Sequence, residues 1–119
     1  MINLKEFKED LLMDMVYSLH QLNESEQLNR FVLISKTSSE PVLRGLVRRI
    51  PMLAFAERAE AFWILANKPF PSVWRDLVAT LETLPHDEIK FAHRWLYTKN
   101  DPTVNRAMAL YLGRALQQK

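Results

Sequence analysis

"FVLIS", residues 31–35, is the one run in this 119-residue chain where a strand would fit. Four consecutive apolar residues carry no period, so taken alone they suit a buried strand as well as a helix. The neighbouring residues favour helix. Asn23 and Glu26 have capping-box spacing, and Leu28, Phe31 and Val32 follow at helical steps, which predicts a helix running from Asn23 to Lys36. No second strand candidate exists for Phe31–Ser35 to pair with. The expected class is therefore all-α.

Working outward from this run, the N-terminal segment reads as one long amphipathic helix over residues 1–22. Asn3 caps it, Glu6 reaches back, and Ile2 packs on Phe7 as a hydrophobic staple. Leu4, Phe7, Leu11, Met15, Leu19 and Leu22 then form a single stripe, widened by Leu12, Met13 and Val16. Such a broad stripe suits a central bundle position or a homodimer through residues 4–22.

C-terminal of the "KTSSE" loop, proline and asparagine punctuate the chain. A helix spans Pro41–Ile50 and stops at Pro51. Another runs from Leu53 to Ala66 and carries Phe55, Phe62, Trp63 and Leu65. Ser72 caps the next, with Val73, Trp74, Leu77, Val78 and Leu81 facing inward. Pro85 separates it from a helix bearing Ile89, Ala92, Trp95 and Leu96, which Asn100 ends. Asp101 and Pro102 restart the chain as cap and first helical position. Val104, Met108, Tyr111, Leu112 and Ala115 supply the last stripe. From Pro41 the breaks have the spacing of stacked helical hairpins, but the segments share no repeating residue pattern. The expectation is a single domain, 1–119, built as a compact bundle of six or seven short helices, with stacked hairpins as the variant.

Composition narrows the function classes. An apolar share of 48% with 25% charged residues is that of a globular protein. The absence of cysteine rules out disulfides, thiolate metal sites and a cysteine nucleophile, and fits the cytoplasm. No apolar run approaches the ~18 residues of a membrane span, so no membrane partner is expected. His20, His86 and His93 lack a ligand spacing, and only two glycines leave little for a phosphate loop; no metal and no cofactor are expected. Residues 1–40 carry a net charge of −3 and residues 41–119 a net charge of +5, an asymmetry that permits a nucleic-acid partner for the second part but falls far short of the density of a dedicated basic arm.

The basic residues concentrate in "SEPVLRGLVRRIP", residues 39–51. On a helical wheel Val42, Leu43, Leu46, Val47 and Ile50 share one face. Arg44 and Arg48 stand opposite with Pro41 and Gly45, and Arg49 lies at the boundary. Glu57 or Glu60 is placed to pair with these arginines. The order of residues resembles the recognition helix of helix-turn-helix regulators over about twelve residues. That resemblance implies duplex DNA as partner, with Ser39, Pro41 and Arg44 at the base-reading end and Arg48 and Arg49 toward the phosphates. The segment departs from the pattern in "SKTS", where such motifs carry an apolar residue and a glycine, and in lacking a wing.

A second candidate contact lies in "KPFPSVW", where Phe70 sits between two prolines in a loop and Trp74 follows. Exposed aromatics of this kind anchor protein partners. No nucleophile–base pair or paired carboxylates stand out, so no catalytic residue is assigned. The expected function is that of a non-enzymatic helical protein (an adaptor, inhibitor or regulatory subunit) contacting a protein partner through Arg44, Arg48, Arg49, Phe70 and Trp74. The alternative is a helix-turn-helix transcriptional regulator using Pro41–Ile50; a third reading is an enzyme with a dispersed site.

Overall fold

In the FVLIS run Phe31, Ile34 and Ser35 are buried while Leu33 is exposed, the three-and-four spacing of a helix face. The structure, a computed structural model, describes the backbone of residues 4–117 and the side chains of residues 8–111. Among the described residues there are seven α-helices and no strand. They are α1 (Leu4–Tyr17), α2 (Glu24–Ile34), α3 (Glu40–Val47), α4 (Arg58–Ala66), α5 (Pro71–Val78), α6 (His86–Thr98) and α7 (Pro102–Gln117). The chain is all-α, and none of the described helices is long and apolar enough to cross a membrane.

Several boundaries differ from the sequence expectation, each for a local reason. The N-terminal helix does not run unbroken to residue 22: it ends at Tyr17, and Leu19–Gln21 tightens into a 3₁₀ turn. The expected cap of this helix, Ile2 and Asn3 with Glu6 and Phe7, lies outside the described residues. The helix of Pro41–Ile50 ends at Val47, with Ile50–Met52 forming a second 3₁₀ turn. Its neighbour begins at Arg58, after a short 3₁₀ turn at Phe55–Glu57. Ser72 is not the cap of α5. Pro71 takes the first helical position, where its missing N–H costs nothing, so Phe70 becomes the N-cap. Asn23 does occupy the N-cap of α2, but without a side-chain bond to the helix.

The three 3₁₀ turns that follow α1, α3 and α5 expose an internal repeat. Val16, Leu19 and Leu22 correspond to Val47, Ile50 and Leu53, and again to Val78, Leu81 and Leu84, at a constant 31-residue interval. Leu22, Leu53 and Leu84 share one extended geometry, with φ/ψ of −85/157°, −72/160° and −82/157°. Each donates its backbone N–H to the residue three earlier at 3.1–3.2 Å. The interval continues into the helices. Ile34, Leu65 and Leu96 are fully buried, as are Val42, Val73 and Val104. Full burial of each such side chain contributes about 1.5–3 kcal/mol over exposure, so the recurring positions are those that hold successive hairpins together.

Stacking of these hairpins produces two rows. Helices α1, α3, α5 and α7 pack in succession, and α2 packs on α4 behind them. The body measures 52 × 32 × 21 Å with a radius of gyration of 15.0 Å, against about 13.5 Å for an average domain of this length. The front row is laced by polar pairs: Ser39 Oγ donates to Glu9 Oε1 at 2.8 Å, and the Ser72 hydroxyl donates to Glu40. Behind it, Gln27 Nε2 donates to the Leu22 carbonyl at 3.0 Å. Arg58, the equivalent position one repeat on, donates to Leu53 O at 3.1 Å and to Thr83 O of the following turn at 3.0 Å.

Asp101 caps α7 as its sequence suggests. Its Oδ1 accepts the N–H groups of Thr103 and Val104 at 2.9 and 3.2 Å, together with the Thr103 hydroxyl. The preceding Asn100 has φ = +50° and turns the chain out of α6. The Thr103 hydroxyl first, and then the backbone donors, hold the Asp101 carboxyl below its ordinary value. A carboxyl lowered in the fold stabilises above the unfolded carboxyl's range and loses that contribution as pH falls through its own lowered value. Asp101→Ala should therefore melt at a lower temperature than the parent at pH 7, and the difference should shrink on acidification below pH ~4. Thermal melts across that range check it; a constant difference would mean that the cap's charge plays no part.

Candidate functional site

The basic segment contributes one wall of a cleft between α1 and α3. Its apolar face, Val42, Leu43, Leu46 and Val47, is consumed by the core. The remaining face of α3, with Pro41, Arg44, Gly45 and Arg48, meets Met13 and Tyr17 of α1 around an opening of ≈ 590 Å³, with Arg49 and Glu40 at its edges. Gly45 leaves the floor open to Met13 and Val16, both within 3.4 Å of where a Cβ would stand. What approaches this glycine is thus the neighbouring helix.

The three arginines occupy different electrostatic settings. Arg44 Nε donates to Asp76 Oδ2 of α5 at 2.8 Å, a pair that neither Glu57 nor Glu60 supplies. The hydrogen bond to Asp76, reinforced by its charge, raises the Arg44 pKa still further. Asp76 also lies 3.5 Å from Arg75. Arg49 stacks over the Tyr17 ring at 5.6 Å from its centroid, a cation–π contact, and its Nη1 donates to Met52 Sδ at 4.0 Å. Arg48 is exposed. Among the described residues, neither Arg48 nor Arg49 has a carboxylate within 4.0 Å. The cleft thus presents two uncompensated guanidinium groups beside an aromatic ring that is itself 56% exposed. That combination suits a carboxylate carried on an apolar stem.

Of the residues named from sequence, Pro41, Arg44, Arg48 and Arg49 come together here, and Ser39 does not; its hydroxyl is spent on Glu9. Phe70 and Trp74 lie elsewhere. Phe70 is half-buried and packs on the core instead of standing free in a loop. Trp74 joins Trp95 and Trp63 in a chain of edge-to-face contacts, with centroids 6.4 and 5.8 Å apart. Its indole N–H donates to Lys68 O at 2.8 Å, and the Lys99 ammonium sits 4.6 and 4.3 Å above the Trp74 and Trp95 rings. The three tryptophans thus bind α4, α5 and α6 to one another. Tyr17 was the residue that sequence reasoning missed: it stands outside the apolar stripe, and only the packing of α1 on α3 brings it to the arginines.

Among the described residues no cluster of three or more histidine, aspartate or glutamate side chains could hold a metal ion. Comparison with protein-family models, with curated proteins and with solved structures finds no match to this chain.

Proposed function

We propose that this chain is a non-enzymatic binding protein of the cytoplasm, an adaptor, inhibitor or regulatory subunit, whose cleft between α1 and α3 receives an acidic side chain of a partner protein. The observation that carries this reading is the pairing of Arg48 and Arg49, both without a carboxylate partner among the described residues, with the exposed Tyr17 ring in one recess. A side chain docking there exchanges water for two charge-assisted hydrogen bonds and an aromatic wall, the composition of interface hot spots.

The recess also weighs against DNA reading. A recognition helix must project into the major groove, whereas α3 lies in a row between α1 and α5 and forms one wall of a cleft. The same chain pairs with a second copy of itself through α1.

Arg48→Ala with Arg49→Ala is the decisive variant, since both side chains lie outside the core and the fold should survive. On an array of displayed peptides, the parent should retain sequences containing Asp or Glu, and the double variant should bind them at least about tenfold more weakly, a loss of 1.4 kcal/mol. A duplex of mixed sequence should show no binding even at about 50 mM salt, where phosphate contacts are strongest. Tight, steeply salt-dependent duplex binding that the same variant abolishes would replace this reading with the nucleic-acid one.

A further inference from the structure

The 31-residue interval moves the first cleft onto a second. Met13, Pro41, Arg44, Gly45, Arg48 and Arg49 line the α1/α3 recess. Two intervals later stand Arg75, Thr103, Arg106, Ala107, Leu110 and Tyr111, and these line two adjoining recesses between α5 and α7, of ≈ 360 and ≈ 220 Å³. The same groove thus occurs twice on the front row. Its chemistry has shifted: where the first has Arg48 and Arg49, the second has Leu110, 64% exposed, and Tyr111. Arg75 and Arg106 keep its rim basic. The intervening groove, between α3 and α5, is bridged by the Arg44–Asp76 ion pair and the Ser72–Glu40 hydrogen bond.

Resting on the proposed function, we infer that the partner is an extended acidic segment of a protein that crosses the front row and anchors twice, a carboxylate between α1 and α3 and an apolar side chain between α5 and α7. Neighbouring helices pack about 8–10 Å apart, so the two anchors are about 16–20 Å apart. An extended chain advances about 3.3 Å per residue and covers that distance in five or six residues. The four arginines Arg48, Arg49, Arg75 and Arg106 complement acidic residues along the segment. A polyanion such as nucleic acid fits less well, because its charged backbone would find the apolar Leu110 and Tyr111 at the far recess.

The test is selection from a displayed library of random peptides about 16 residues long, well over the span required, against the full chain. Enriched peptides should share an Asp or Glu and a large apolar residue five or six positions away. For one such peptide, Arg48→Ala with Arg49→Ala should weaken binding at least about tenfold, and so should Arg106→Ala with Leu110→Ser. Both pairs lie on the surface, and unchanged circular dichroism melts confirm that the variants fold. Peptides that need Arg48 and Arg49 but are indifferent to Arg106 and Leu110 would overturn the second anchor and leave the proposed function standing. Binding that ignores Arg48 and Arg49, or no enrichment at all, would overturn both. Displacement of the peptide by single-stranded DNA at stoichiometric concentration would overturn the choice of a protein segment.

Discussion

Phe62→Ala is expected to lower the stability of the chain by about 3–5 kcal/mol, the cost of truncating a fully buried aromatic. Phe62 has no exposed surface, makes an edge-to-face contact with Trp63 at 5.1 Å, and sits in α4. That helix packs on α2, α3 and α5, so the void left by the ring touches two hairpins at once and has few ways to collapse. Against a net stability of 5–15 kcal/mol for a typical domain, the loss removes a large fraction of the total. Urea unfolding gives the number. It should also show a shallower transition, because a weakened middle hairpin lets the ends melt separately. A loss below about 1.5 kcal/mol would show that α4 does not join the two halves.

Leu11→Glu with Met15→Glu is expected to abolish a dimer. Val42, Val73 and Val104 are 0% exposed, each covered by the preceding hairpin, whereas Leu11, at the equivalent position of the first repeat, is 52% exposed. Met15 is likewise half-buried where Leu46 and Leu77 are fully so. A second copy of α1 in a two-fold arrangement supplies the missing cover to both protomers. Both side chains are already partly covered, so about half of the usual 1.5–3 kcal/mol per side chain applies. Four side chains then weaken the dimer by at least about a hundredfold. Sedimentation at micromolar concentration should give a dimer for the parent and a monomer for the variant, with unchanged helix content. A parent that stays monomeric at high concentration would sink the dimer while leaving the cleft untouched.

Residue spacing carried the helical class because burial follows a 3.6-residue period within each element. Phe31 and Ile34 inside, with Leu33 outside, express that period in the very run that admitted a strand. Helix ends were less legible. A 3₁₀ turn such as Ile50–Met52 continues the helical dihedrals and keeps Ile50 buried, so no pattern of apolar residues separates it from α3. The cap of α5 was readable, since a proline at the first helical position places the cap on the residue before it. The 31-residue interval was hidden because only the apolar frame recurs; the positions between, such as Ser18, Arg49 and Thr80, differ in size and charge. At the candidate site, Arg44 and Arg48 were legible as an outer face. The pairing of Arg44 with Asp76, 32 positions away, and the arrival of Tyr17 are contacts between elements, which no local period encodes.

Stacking in sequence order also fixes the tempo of folding. Each front-row helix meets the one a single hairpin away, so no native contact between neighbours demands closure of a loop much longer than one repeat. Chains dominated by such short-range closures fold in microseconds to milliseconds. The chain can nucleate at any well-packed hairpin and zip outward, with the α4–α5 centre the last region to open and the two ends the first to fray.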